Sequence, residues 1–172
     1  SSAVHSTLVL DDRSSCKFTK TLDSSFQISQ GLKIIKKNII HKKDYWKISA
    51  EHDGYLKQYG IIHNRRIEFY PEQSKFIGYD KVISKKNNKS LKFEIRFHLD
   101  PSVKVMKTQD NKTIFIDIDG EGWKFYSDDN LINIDNGLYF GKKNSFIKNQ
   151  NIFISGMTSK ENQTIKWEII KL

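Results

Sequence analysis

From Leu91 to Leu99 the side chains alternate without a break. Leu91, Phe93, Ile95, Phe97 and Leu99 point one way, and Lys92, Glu94, Arg96 and His98 point the other. Apolar residues two apart share a face only in an extended chain, so this segment reads as a strand with one face in a core. The same period recurs at Ile165, Trp167 and Ile169, set against Lys166 and Glu168, and at Ile114, Ile116 and Ile118 within Thr113 to Asp119. One apolar and one polar face is the pattern of half-buried antiparallel sheets.

Turn chemistry separates such runs at short intervals: Pro71-Glu72-Gln73-Ser74, Asn87-Asn88, Asp110-Asn111, Asp119-Gly120-Glu121-Gly122, Asp128-Asp129-Asn130 and Lys142-Lys143-Asn144. Asp135-Asn136-Gly137 gives the clearest hairpin signal. No window of a dozen residues sustains a helical stripe. The expectation is therefore an all-β chain, about a dozen or more short strands from Thr7 to Leu172 in an antiparallel β-sandwich or a stack of sheets. Two prolines and the absence of a Ser/Gly-rich linker predict a single domain over residues 1–172, without internal repeats.

There is material to pack it. In 172 residues, 37% are hydrophobic and 12% aromatic, which suits a buried core and excludes a disordered chain. The single cysteine, Cys16, excludes an intrachain disulfide and any multi-cysteine metal or cluster site. The longest apolar runs are a few residues, too short for a membrane span. Ser1-Ser2-Ala3 carries neither an initiator Met nor a signal-like stretch, so the natural start is expected upstream and compartment is left open.

Lys and Arg number 29 against 20 Asp and Glu, a formal +9. Such a field attracts polyanions, whether nucleic acid, anionic membrane or acidic polysaccharide. It equally fits plain solvation, because the lysines are scattered among Asn and Ile. Five histidines, His5, His41, His52, His63 and His98, form no HxH, HxxxH or HExxH pattern, so any metal site must be assembled across strands or with residues outside this chain. Ser155-Gly156 and Ser14-Ser15 lack the elbow that exposes a nucleophile, and no helix follows Gly120 and Gly122 to cradle phosphate. Asp117, Asp119 and Glu121 read as a solvated strand end rather than a calcium loop. Basic and aromatic residues interleave around Arg65-Arg66 and in Arg96-Phe97-His98, but no RNA-recognition signature accompanies them, so nucleic acid is an unfavoured partner.

Taken in order, several segments resemble the C-terminal part of the heparinase II/III-like polysaccharide lyases. They are Val4-His5-Ser6-Thr7-Leu8-Val9-Leu10-Asp11, Glu51-His52-Asp53-Gly54-Tyr55, Gly60-Ile61-Ile62-His63-Asn64-Arg65-Arg66-Ile67, Gly78-Tyr79-Asp80, Arg96-Phe97-His98-Leu99-Asp100-Pro101, and Trp167. Asn64 departs from the basic residue expected after that His. The resemblance implies a bacterial enzyme with an α/α toroid followed by an antiparallel β-sandwich domain, in periplasm or cytoplasm. It implies β-elimination on a uronic-acid-containing acidic polysaccharide, glycosaminoglycan-like or alginate-like, giving an unsaturated sugar.

In the family, catalytic Tyr and Asn or His come from the toroid, and a His-Asp metal-ligand stretch precedes the HST segment. This chain begins downstream of both, so its own catalytic residues are unassigned and the chain alone is expected to be inert. His5 matches the position that completes a zinc site in some relatives. One ligand does not hold zinc tightly, so tight metal binding is not expected here. His63, Arg65, Arg66, Arg96 and His98 are candidates for substrate contact, the arginines by bidentate pairing to carboxylate or sulfate, and Tyr55 for packing beneath a sugar. For each arginine a cross-strand ion pair is the competing reading. The alternative function is a non-catalytic β-sandwich that binds anionic glycans without cleaving them.

Overall fold

Extended chain dominates the structure, a computed structural model that describes residues 5–86, 89–127, 129–142, 145–159 and 161–172. In chain order the strands are β1 (Leu8–Leu10), β2 (Lys17–Lys20), β3 (Phe26–Gln30), β4 (Ile34–His41), β5 (Trp46–His52), β6 (Ile61–Tyr70) and β7 (Lys75–Ser84). They continue as β8 (Lys92–His98), β9 (Lys104–Lys107), β10 (Thr113–Ile118), β11 (Glu121–Tyr126), β12 (Ile132–Lys142), β13 (Ser145–Met157) and β14 (Gln163–Lys171). One turn of helix, α1 (Leu56–Tyr59), links β5 to β6, and a 3₁₀ turn at Pro71–Gln73 links β6 to β7.

All strand pairs are antiparallel. A four-stranded sheet runs β1-β8-β13-β12, an eight-stranded sheet runs β4-β5-β6-β7-β14-β11-β10-β9, and β2-β3 form a separate hairpin. The alternation read at 91–99 sets how the sheets meet. Phe93 and Ile95 are buried, with Leu8, Leu10, Ile152 and Ile154 from neighbouring strands, and they face Val82, Ile114, Phe125, Ile165 and Trp167 of the larger sheet. Phe97 crosses the gap, its ring 4.8 Å from both Phe125 and Trp167 in edge-to-face contact. Each such fully buried side chain contributes about 1.5–3 kcal/mol, and together they make a β-sandwich.

Asp119 and Gly120 are the two left-handed residues of a tight hairpin between β10 and β11, with φ of 52° and 86°. Asp117 is part of this turn, accepting the Gly120 N–H at 2.8 Å. Ser74 and Asn111 also adopt left-handed conformations in the turns expected there. The turns expected at Asn87-Asn88, at Asp128 and at Lys143-Asn144 lie outside the described residues, as does Val4.

The strongest hairpin signal is overturned. Asp135, Asn136 and Gly137 lie within β12, paired with Asn151, Gln150 and Asn149. A Cβ on Gly137 would stand 2.2 Å from Asn151 Nδ2 and 2.7 Å from Asn149 Oδ1. Glycine is needed there for side-chain clearance, not for a positive φ. Asn149 and Asn151 are buried, and Asn149 Nδ2 donates to Leu99 O at 2.7 Å.

Candidate functional site

Register gathers four polar side chains on the inner face of the eight-stranded sheet. His52 of β5 lies directly across from His63 of β6, and Arg65 directly across from Asp80 of β7. Residues two apart share a face, so all four point toward the smaller sheet. Trp167 of β14 lies across from Gly78, where a Cβ would fall 2.0 Å from the indole. The missing side chain lets the ring lie flat over the strand and reach Asp80.

Asp80 is fully buried and receives every donor in reach. His63 Nε2 lies 2.7 Å from Oδ1, Arg65 Nε donates to Oδ1 at 2.8 Å and Nη2 to Oδ2 at 3.0 Å, and Trp167 Nε1 donates to Oδ2 at 2.9 Å. Burial alone would raise its carboxyl, but the Arg65 guanidinium and the His63 and Arg65 hydrogen bonds hold it far below the usual carboxylate range.

The hydrogen bonds also fix the histidine tautomers. Gly54 N–H donates to His52 Nδ1 at 3.2 Å, so the His52 proton sits on Nε2 and is donated to His63 Nδ1 at 3.1 Å. The His63 proton is therefore on Nε2, facing Asp80. Burial, then the neighbouring His63, lowers His52 to about 4. The wire runs Gly54 to His52 to His63 to Asp80, each donor spent on one acceptor. With His63 only 2% exposed, it offers substrate no open base.

What the anchor does is hold a loop. Arg65 Nη1 donates to Ser6 O, while the His98 backbone N–H donates to Ser6 Oγ at 3.0 Å and Arg96 N–H to Thr7 O at 3.1 Å. Ser6 thus bridges the two sheets, and the exposed His5 stands at their seam.

The remaining candidates are placed elsewhere. Arg66 is on the outer face of the larger sheet, 4.0 Å from the Tyr79 ring centroid and 3.2 Å from Glu68. Arg96 is on the outer face of the smaller sheet, paired with Glu94 at 2.6 Å, 3.6 Å from Asp135 and stacked over Phe153. The half-buried His98 shares that face. Tyr55 does not lie where a sugar could stack: it is 0% exposed, and its hydroxyl donates to Leu8 O at 2.9 Å. A turn of helix folds its ring inward to brace β1. Sequence reasoning did not assemble His52, Asp80 and Trp167 into a site; their signal was cross-strand register, invisible until the strand order is known.

Among the described residues, no three His, Cys, Asp or Glu side chains converge as a metal would require.

The sequence profile of the family described as "Heparinase II/III-like, C-terminal" matches residues 1–168. Comparison with curated proteins finds no match. Among solved structures, the fold is similar to heparan sulfate lyase HepC from Pedobacter heparinus, at TM-score 0.74 and 14% identity, covering 98% of this chain and 24% of that one. It is similar also to a heparinase III gene product at TM-score 0.69 and 12% identity, over 98% and 24% of the two chains. A further heparinase III aligns at TM-score 0.64 and 14% identity, over 98% and 23%. The chain thus spans about a quarter of the length of these relatives.

Proposed function

The chain belongs to the heparinase II/III-like C-terminal family, and from that premise we propose that it is the β-sheet domain of a polysaccharide lyase acting on a uronic-acid-containing polysaccharide. The observation that carries this reading is the family match across 1–168. In the reaction a base removes the proton α to the uronate carboxylate, the electron pair forms the new C=C bond, the glycosidic C–O bond breaks, and an acid protonates the departing oxygen. Base and acid are assigned to an α/α toroid of the same polypeptide, which this domain would face across the His5 seam.

In that assembly His5 is the contact this domain offers, to substrate or as one ligand of a zinc ion completed by upstream residues. Arg65 and His63 act beneath it as positioning residues, since Asp80 and Ser6 engage the guanidinium and Asp80 engages the imidazole. Arg66, Arg96 and His98 belong to the outer faces and would meet polysaccharide only there.

The test is ultraviolet absorbance of the unsaturated product when the polypeptide carrying this domain is given heparan sulfate or a polyuronate. Absorbance should rise, and His5→Ala should lower kcat/KM by about tenfold or more, the loss of one contact to a charged group. Saturable binding without absorbance would overturn the lyase reading and leave a glycan-binding sandwich.

A further inference from the structure

Between Lys33 and Lys47 stand Lys33, Lys36, Lys37, Lys42, Lys43 and Lys47 against Asp44 alone, a net +5 of the chain's formal +9. The fold places this segment on β4, the loop 42–45 and the start of β5, at the outer edge of the eight-stranded sheet. Five of the six lysines are exposed and Lys47 is half-buried. None of the six pairs with a described carboxylate, whereas Lys75, Lys92, Lys166 and Lys171 all do.

Their directions matter. Lys47 lies across from Ile40, so Lys36 and Lys47 share the outer face of the hairpin; Lys37 points to the other face, and Lys42 and Lys43 stand in the loop. A chain lying along this edge would meet ammonium groups from both faces and from the end. At about 3.3 Å per residue, Lys33 to Lys43 extends over roughly 30 Å, the reach of several sugar units.

Protection of an open sheet edge explains one or two lysines within β4. It does not explain Lys33, Lys42, Lys43 and Lys47, which lie outside the edge strand. Nor does the hairpin suit nucleic acid. Its two large rings pack internally, Tyr45 against Tyr70 at 5.3 Å and Trp46 against Phe69 at 5.0 Å, so they are not the freely presented rings that stack bases.

We propose that the β4–β5 edge hairpin is a binding surface for a linear anionic polysaccharide, which it tethers by the polymer's carboxylates or sulfates. The choice of glycan rests on the family reading above; the surface itself rests on the charge and its placement.

The test measures binding of the 172-residue chain to heparin, to a polyuronate and to single-stranded DNA across a salt series. Two variants of equal net charge are compared: Lys36→Gln, Lys37→Gln, Lys42→Gln, Lys43→Gln, and a control with Lys57→Gln, Lys104→Gln, Lys112→Gln, Lys148→Gln. All eight positions are exposed, so both variants should melt with the parent. The hairpin variant should bind heparin about tenfold or more weakly with a shallower salt dependence, and the control within about twofold of the parent. Equal losses in both variants would overturn the surface, because binding would then follow net charge alone. Preference for DNA at matched charge would overturn the glycan assignment. Neither result bears on the absorbance assay, which decides the lyase reading by itself.

Discussion

Asp80 shows at the scale of one residue how an anchor is built. A buried carboxylate is tolerated only when its charge and lone pairs are matched, and here His63, Arg65 and Trp167 supply the donors. Asp80→Asn would keep the shape but remove the charge and turn one oxygen into a donor facing donors. The expected cost is about 3–5 kcal/mol of unfolding free energy, read by urea denaturation. A loss below about 1 kcal/mol would mean that the anchor contributes little to stability. Arg65→Lys should recover only part of the function of Arg65, since one ammonium cannot bond both Asp80 oxygens and Ser6 at once.

His52 gives the same network a pH dependence. Its folded pKa is lowered from 6.5 to about 4, so between those values the unfolded chain binds a proton that the folded chain does not. Stability from this residue is complete above about pH 6.5 and is lost as pH falls toward about 4. A protonated His52 would also turn an N–H toward Gly54 N–H. Melting temperature should fall across this window more steeply in the parent than in His52→Gln, and parallel curves would remove His52 from the account. At this scale residue types were legible: His63, Arg65 and Gly78-Tyr79-Asp80 all stand out in the sequence. Their partnership was not, because hydrogen bonds between residues 52, 63, 80 and 167 depend on four strands being neighbours.

At the scale of elements, alternation was the reliable signal. Phe93 and Ile95 in β8, Ile114 and Ile116 in β10, and Ile165 and Trp167 in β14 are all inward and buried. Turn chemistry failed where glycine has two physical uses. Asp119-Gly120 needs left-handed backbone and makes a hairpin, while Asn136-Gly137 has the stronger turn signature and lies inside a strand, because Gly137 clears two buried asparagines. Gly78 is of the second kind. In Gly78→Ala the new methyl group would overlap Trp167, forcing the indole off the strand and away from Asp80. A loss of about 1–3 kcal/mol is expected, with a changed near-ultraviolet signal from the displaced indole. An unchanged spectrum and stability would show that the ring does not lie where the structure puts it.

For the whole molecule, sequence order and sheet order part company. β14, the last strand, sits in the middle of the eight-stranded sheet, between β7 and β11. No local pattern announces this, since pairing of 163–170 with 75–82 is a matter of topology, and such distant pairing makes folding slow. The consequence is a larger sheet that is not complete until β14 is in place. β4–β7 and β9–β11 are joined in that sheet only through β14, which also brings Trp167 to Asp80 and Ile165 to the core. Removing residues 161–172 should therefore abolish cooperative unfolding altogether, rather than fray one edge. Removing β9 should be milder, because it is a terminal strand paired on one side only, with β10. Hydrogen exchange and urea denaturation of the two deletions provide the comparison. A C-terminal deletion that still unfolds cooperatively, with protected amides in β5–β7, would show that the four-strand block β4–β7 is stable without its bridge.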